Sequence, residues 1–218
     1  GRASKELMLA TVETGHEAFE GGILAAMQHG EWANKDVVTG CFPITKTRFV
    51  DADFNKKLFD VYDAREISMI LEERQKFRFR LNRSIETHDV VIVNDFGHGL
   101  LGETERESLQ HSSFLALNTQ TNAGNYGFNL VTKYQKASYV CIDDPEARLA
   151  AGMQREPISS VAFSLAQRMA CKRFLVTHGR FGSDWFAHQT EFKAGHAPAL
   201  AQGGVDTMGA GDAVMAVT

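Results

Sequence analysis

The sequence predicts an α/β protein with an open, mostly parallel sheet. Short apolar runs recur along its second half, and each has the length of a strand that is buried on both faces. They lie at residues 90–93, 114–117, 139–142 and 174–177. Between the last two, apolar residues recur at helical spacing over residues 158–169, behind Pro157. This alternation favours right-handed crossovers and helices that cover the sheet.

The first part of the chain is less regular. Residues 18–30 (AFEGGILAAMQHG) suit a helix that is entered through the Gly21-Gly22 pair. Residues 44–50 (ITKTRFV) alternate polar and apolar side chains, which predicts a half-exposed strand. We therefore expect one domain over residues 1–218, with a small β lid near residues 41–60 that is separate from the main core.

Composition excludes several classes of protein. A chain of 218 residues, 44% of them hydrophobic, is long enough to bury a full core. Its net charge of -4 argues against a nucleic-acid partner, and the cationic run at residues 74–83 (RQKFRFRLNR) is interpreted as an exposed helix surface. No apolar run predicts a membrane span. Three widely spaced cysteines without a CxxC pair suit a reduced, cytoplasmic setting.

The last segment, GGVDTMGAGDAVMAVT at residues 203–218, carries the strongest functional signal. Gly209, Ala210 and Gly211 allow close approach of a ligand, and the amides of a helix start attract anions. Asp212 either complements the helix dipole or takes a proton from a substrate hydroxyl during phosphoryl transfer. A dinucleotide-binding loop needs an acidic residue about 20 positions later, and a P-loop needs GxxxxGK[ST]; the sequence has neither.

Residues 206–212 (DTMGAGD) reproduce a DTxGAGD signature and so resemble the ribokinase-type, or phosphofructokinase-B-like, carbohydrate kinases. VTHGRFG at residues 176–182 is similar to their VTxGxxG segment. DDPEA at residues 143–147 corresponds to their NxxE region, with Asp143 in place of Asn. DFGHG at residues 95–99 resembles the DYxKG turn of the heptose 7-phosphate kinase branch, with His98 where lysine is common.

The resemblance implies a ribokinase-like three-layer sandwich and ATP-dependent phosphorylation of a sugar or sugar-phosphate hydroxyl. A heptose phosphate is one candidate for the acceptor. It assigns Asp212 as the general base, and the amides of Gly209, Ala210 and Gly211 as stabilisers of the transferring phosphoryl group. The residues implied for the nucleotide are Thr177, Gly179, Gly182 and Thr207. Asp143 and Glu146 would orient Mg2+ through water, although two acids here also suit a simple helix cap.

The resemblance also implies acceptor-binding residues, namely Gly21, Gly22, Lys46, Arg48 and Asp95. Gly21 and Gly22 resemble a GGxxxN motif, but Ala25 occupies the position of its asparagine. Lys46 and Arg48 suit a substrate phosphate or the wet face of an edge strand equally well. The asparagine-rich segment, residues 118–129, is interpreted as a structural turn or as a surface for sugar or phosphate.

The sequence leaves two other functions open. Ala25 and Asp143 favour a kinase-fold protein that binds sugar phosphate or nucleotide without turnover. A nucleoside kinase would need an aromatic base-stacking site, for which Phe42 and Phe49 are candidates.

Assembly is predicted from the lid and from the two ends of the chain. An exposed lid edge predicts a homodimer through the lid strands. Because the chain starts at Gly1 rather than Met and stops just after Asp212, we expect sequence beyond both ends. By resemblance to the heptose branch, the longer chain would include a nucleotidyltransferase domain.

Overall fold

The computed structural model describes residues 45–51, 56–63, 70–121, 124–188, 191–200 and 210–218. The strands in chain order are β1 Thr45–Asp51, β2 Lys56–Asp63, β3 Val91–Asp95, β4 Leu115–Thr119, β5 Tyr139–Asp143, β6 Arg173–Thr177, β7 Ser183–His188 and β8 Phe192–Ala197. The α-helices are α1 Leu71–Thr87, α2 Glu103–Leu109, α3 Asp144–Ala151, α4 Ile158–Arg168 and α5 Ala210–Val217. Short 3-10 turns occupy Val131–Lys133 and Gly179–Phe181.

The main sheet has six strands in the order β3-β4-β5-β6-β7-β8. Neighbours from β3 to β6 are parallel, whereas β7 and β8 are antiparallel additions at one edge. The four strands predicted from the apolar runs are confirmed as β3 to β6. The strand predicted at residues 44–50 is also confirmed, because β1 pairs with β2 in a separate two-stranded antiparallel sheet.

One face of the main sheet carries most of the core. Alternate strand residues such as Val93, Leu117, Ile142 and Val176 are buried there together with the apolar sides of α1, α2, α3 and α4. This packing follows from the period of two along each strand and the spacing of three to four along each helix. The predicted helix behind Pro157 is confirmed as α4.

The other face is covered by α5. Met215 packs on Ala116, Cys141 and Leu175, one residue from each of β4, β5 and β6. The sheet therefore lies between two helical layers, which confirms the predicted three-layer α/β arrangement.

The cationic run belongs to α1 and is only partly exposed. Lys76 and Phe79 face solvent, as predicted. Arg74 and Arg78 instead point inward, where Nη1 and Nε lie 3.2 and 2.7 Å from Oε1 of Glu105, whose side chain is fully buried. Two of the arginines are thus internal partners of one acid rather than a surface for RNA. Among the described helices, none combines the length and apolar character needed to span a membrane.

Candidate active site

The carboxyl ends of the parallel strands bring the predicted polar residues into one row. Asp95 at the end of β3 lies opposite Thr119 of β4, and Asp143 at the end of β5 lies opposite Thr177 of β6. Ligands of open α/β sheets bind beyond this edge. The row therefore brings together three sequence-predicted site residues, Asp95, Asp143 and Thr177.

Helix α5 runs antiparallel to the parallel strands. Its last contacts lie at the amino end of β5, where the Tyr139 hydroxyl is 2.6 Å from Oγ1 of Thr218. Met215 contacts Cys141 in the middle of the same strand. Because a helix rises about 1.5 Å per residue, the first turn, with Ala210, Gly211 and Asp212, is directed toward the carboxyl edge. The helix start and the polar row are therefore at the same end of the sheet.

Asp143 and Glu146 form a capping box at the start of α3. Oδ1 of Asp143 accepts a hydrogen bond from the Glu146 amide at 2.8 Å, and Oε2 of Glu146 is 3.5 Å from the Asp143 amide. Oε1 of Glu146 also accepts from the Thr121 amide at 2.7 Å. The helix-cap interpretation of these acids is confirmed.

The same pair is electrostatically suited to a cation. Burial, and then the nearby Asp143 carboxylate, raise the pKa of Glu146 to about 7. Burial also raises the pKa of Asp143. Among the described residues, no group of three or more His, Cys, Asp and Glu side chains could hold a metal ion. Two carboxylates fit Mg2+ that is held mainly by phosphates and water, which is how this ion usually binds.

Asp95 is buried and its carboxylate is already bonded. Oδ1 accepts from the Gly97 amide at 2.9 Å, while Oδ2 lies 2.6 Å from both the Tyr134 hydroxyl and Nζ of Lys133. Sequence reasoning missed Lys133 and Tyr134, which lie in a polar stretch with no motif. The sequence predicts that Asp95 binds the acceptor; in the structure its carboxylate is held by these three internal partners.

The turn after β3 is held by amides of the asparagine-rich segment. Asn129 donates from Nδ2 to the carbonyls of Asp95 and Gln120 at 2.8 and 2.9 Å, and Asn125 donates to Phe96 O at 2.9 Å. The structural interpretation is therefore right for these two asparagines. Asn118 differs, because its side chain is buried and its Oδ1 has no hydrogen-bond partner among the described residues.

His98 lies in the same turn. Burial lowers the pKa of His98, with Asp95 opposing the effect. Burial therefore favours the neutral imidazole, whereas a lysine at this position would be cationic.

The turn after β6 contains Gly179 and Gly182 in left-handed conformations, with φ of 55° and 96°. It closes through a 2.8 Å bond from the His178 amide to Gly182 O. A side chain at Gly182 would collide with the backbone at Ala197, so the turn is pressed against the end of β8. This packing explains why glycine is required at position 182, the second glycine of the turn.

Several predicted positions have limited structural description. Gly21, Gly22, Thr207 and Gly209 lie outside the described residues, as do Ala25 and Phe42. Lys46 and Arg48 lie on β1, opposite Tyr62 and Asp60 of β2. Phe49, the other candidate for base stacking, stacks instead on Phe59 of β2, with ring centroids 4.5 Å apart.

Comparison of the folds relates this arrangement to known kinases. A ribokinase from Giardia lamblia superposes with a TM-score of 0.66 at 17% identity, covering 94% of this chain and 64% of the other. Phosphofructokinase-2 from Escherichia coli, in its tetrameric inhibited form, gives 0.70 at 12% identity, covering 95% of this chain and 67% of the other. The fold is ribokinase-like.

Further matches agree with this fold. A Burkholderia thailandensis nucleoside kinase in complex with inosine gives a TM-score of 0.60 at 17% identity, covering 94% of this chain and 63% of the other. Residues 129–218 match the model of the pfkB family carbohydrate kinases. No curated protein sequence matches the chain. The ribokinase-like chain spans about two thirds of the length of these solved structures.

Proposed function

We propose that the protein is a carbohydrate kinase that transfers the γ-phosphoryl group of ATP to a hydroxyl of a sugar or sugar phosphate. The observation that carries the proposal is the direction of α5, whose first turn, with Ala210, Gly211 and Asp212, lies toward the same edge as Asp143 and Thr177. The pfkB family match to residues 129–218 contains this entire half of the site. The fold supports the proposal but does not by itself assign an activity.

Each part of the site has a chemical task in this reaction. Asp212 accepts the proton of the acceptor hydroxyl, and the amides of Gly209, Ala210 and Gly211 bind the oxygens of the transferring group. Thr177, Gly179 and Gly182, with Thr207, form the nucleotide side. Asp143 and Glu146 would hold Mg2+ through water. When bound, the ion neutralises charge on the phosphates.

The acceptor side is proposed to include Gly21, Gly22, Lys46, Arg48 and Asp95, the last acting through the turn that it supports. Lys46 and Arg48 on the lid strand suit a phosphate already present on the acceptor, as in a heptose phosphate. Closure of the lid would exclude water from the reacting groups.

The proposal includes the oligomeric state, the cell compartment and the domain organisation of the protein. Exposed apolar side chains on the lid, Phe49, Phe59 and Val61, favour pairing of two lids in a homodimer. Cys141 and Cys171 are both buried, and cysteines that are not arranged as a disulfide pair suit a reducing cytoplasm. A nucleotidyltransferase domain in a longer chain remains part of the heptose-phosphate hypothesis.

The test is a screen for ADP release with free and phosphorylated sugars, including heptose 7-phosphate and fructose phosphates, in the presence of ATP and Mg2+. Asp212→Asn should lower kcat about a hundredfold or more, because the general base is lost. Asp89→Asn is the matched control, since Asp89 is an exposed acid that precedes β3 at the opposite edge of the sheet. An Asp212→Asn protein that is folded and as fast as the parent would refute the proposal. Calorimetric ATP binding without ADP release would instead favour the binding protein.

A further inference from the structure

The two segments on the acceptor side share one buried connection. The first is the turn at residues 95–99, and the second is the asparagine-rich segment, residues 118–129. Lys133 lies in the 3-10 turn that follows the second segment, and Nζ contacts Oδ2 of Asp95 at 2.6 Å and also bonds Oδ1 of Asn129. One ammonium group therefore touches a residue of each segment.

Asn129 transmits this connection to the backbone. Its amide nitrogen donates to Asp95 O and Gln120 O, so its side chain is bonded on both its oxygen and its nitrogen. The Gln120 amide also donates to Asp95 O at 3.0 Å. The segments are therefore tied at their backbones, and Lys133 fixes the orientation of the amide that ties them.

A charged pair is costly to bury, and this cost indicates a positioning role for the connection. Asp95 and Lys133 retain 7% and 21% of their side-chain exposure, and Tyr134 is fully buried. Burial lowers the pKa of Lys133, with Asp95 opposing the effect. A charged pair in such a place is tolerated only when its hydrogen bonds are satisfied, and losing one partner leaves the other charge uncompensated.

Close packing leaves the turn little freedom once the connection is made. Gly97 has φ of 73°, and a side chain there would meet the Asn129 side chain at 2.6 Å. The Arg74 guanidinium donates to Gly99 O at 3.3 Å from the other side. The turn is therefore held between α1 and the asparagine-rich segment, and it presents His98 at the carboxyl edge.

We propose that Lys133 is a positioning residue for the acceptor side of the site, and that it joins the turn at residues 95–99 to the asparagine-rich segment through Asp95 and Asn129. The inference rests on the proposed function for its kinetic consequence. Lys133 does not react with the substrate. It sets the relative position of the two segments, so its loss should affect the acceptor more than the nucleotide, whose turn follows β6.

The test uses Lys133→Met in the full chain, with Lys136→Met as the matched control because Lys136 is exposed three residues further along. Hydrogen exchange is measured at the Gly97 and Gln120 amides, which donate to Asp95. Lys133→Met should speed their exchange about tenfold or more while β5 and β6 stay protected, and the control should leave it unchanged. Unchanged exchange in Lys133→Met, or an equal rise throughout the sheet, would overturn the proposal.

Two further measurements separate positioning from simple destabilisation. The KM for the acceptor should rise about tenfold in Lys133→Met, with kcat and the KM for ATP changed less than about twofold. Adding Asp95→Asn should recover part of the lost exchange protection, because the double variant has no uncompensated buried carboxylate. Equal rises in both KM values, or strictly additive effects, would contradict the role. If the parent phosphorylates no sugar, the proposed function fails, and the exchange results still decide the role of Lys133.

Discussion

Replacing Glu146 by glutamine should stabilise the protein at alkaline pH. Glu146 is held at the start of α3 by Asp143 and by the Thr121 amide, and its pKa is raised to about 7 from an ordinary value of 4.5. Its protonated form is therefore favoured in the folded state. The stability linked to this group is fully present below pH 4.5 and is lost as the pH rises through about 7. Glutamine keeps the shape and one acceptor oxygen, with a donor group at the second position as in the protonated acid, but it cannot ionise.

The size of the effect follows from the displacement of the pKa. At about 1.4 kcal/mol for each pKa unit, the change from 4.5 to about 7 sets an upper limit of about 3.5 kcal/mol. Glu146 keeps part of its exposure, so solvent screening reduces the expected gain to about 1–2 kcal/mol. The gain belongs to the magnesium-free protein, because a cation beside Glu146 would favour the ionised form.

The measurement is denaturant unfolding of the parent and Glu146→Gln at pH 5 and pH 8 without Mg2+. We expect the variant to gain about 1–2 kcal/mol relative to the parent between the two pH values. Glu156→Gln is the control, since Glu156 is an exposed acid between α3 and α4. A difference that does not depend on pH, or a variant that is less stable than the parent at pH 8, would refute the reasoning.

Two other substitutions test the parts of the site that flank this pair. Gly182→Ala should lower the free energy of unfolding by about 2–4 kcal/mol, because it combines left-handed strain with collision against Ala197. Gly127→Ala should cost only about 1 kcal/mol, since Gly127 has φ of 82° but no atom of the described residues lies within 4 Å of an added Cβ. Equal losses in the two unfolding curves would contradict the crowding argument. Met215→Ala should lower the free energy of unfolding by about 2–3 kcal/mol and speed hydrogen exchange at the α5 amides, because Met215 packs α5 on the sheet. Denaturant unfolding and hydrogen exchange measure the two effects. If the α5 amides are as protected as in the parent, α5 does not depend on Met215 for its packing on the sheet.

The central sheet could be predicted because its signal is local. Each of β3 to β6 contains a short continuous apolar run, which is typical of a strand buried on both faces. The helical spacing of residues 158–169 between two of these runs favours strands over helices for the runs themselves. The strands β7 and β8 were not predicted, because they lie at one edge of the sheet and carry no continuous apolar run. Their sequences SDWFAH and FKAGHA are mostly polar or small, and one face of each strand is partly exposed.

The site was predictable only where short motifs carry it. DTMGAGD and VTHGRFG are contiguous, so Asp212 and the Gly179–Phe181 turn could be found from sequence alone. The Asp95 network was not predictable, because Lys133 and Tyr134 lie 38 and 39 positions from Asp95 and share no periodicity with it. The only signal near them was the abundance of asparagine in residues 118–129. Asn129 belongs to this segment and accepts a hydrogen bond from Lys133.

The capping box formed by Asp143 and Glu146 is compatible with their proposed role beside Mg2+. The capping box fixes both carboxylates at the end of β5 without help from a ligand, so the pair is preorganised. Asp143 then raises the cost of ionising Glu146, which a neutral asparagine at the same position would not do. A divalent cation would offset that repulsion. Asp143, where the related kinases have asparagine, therefore makes this edge of the sheet less favourable without a cation and more attractive to one, which suits a site that binds a nucleotide together with Mg2+.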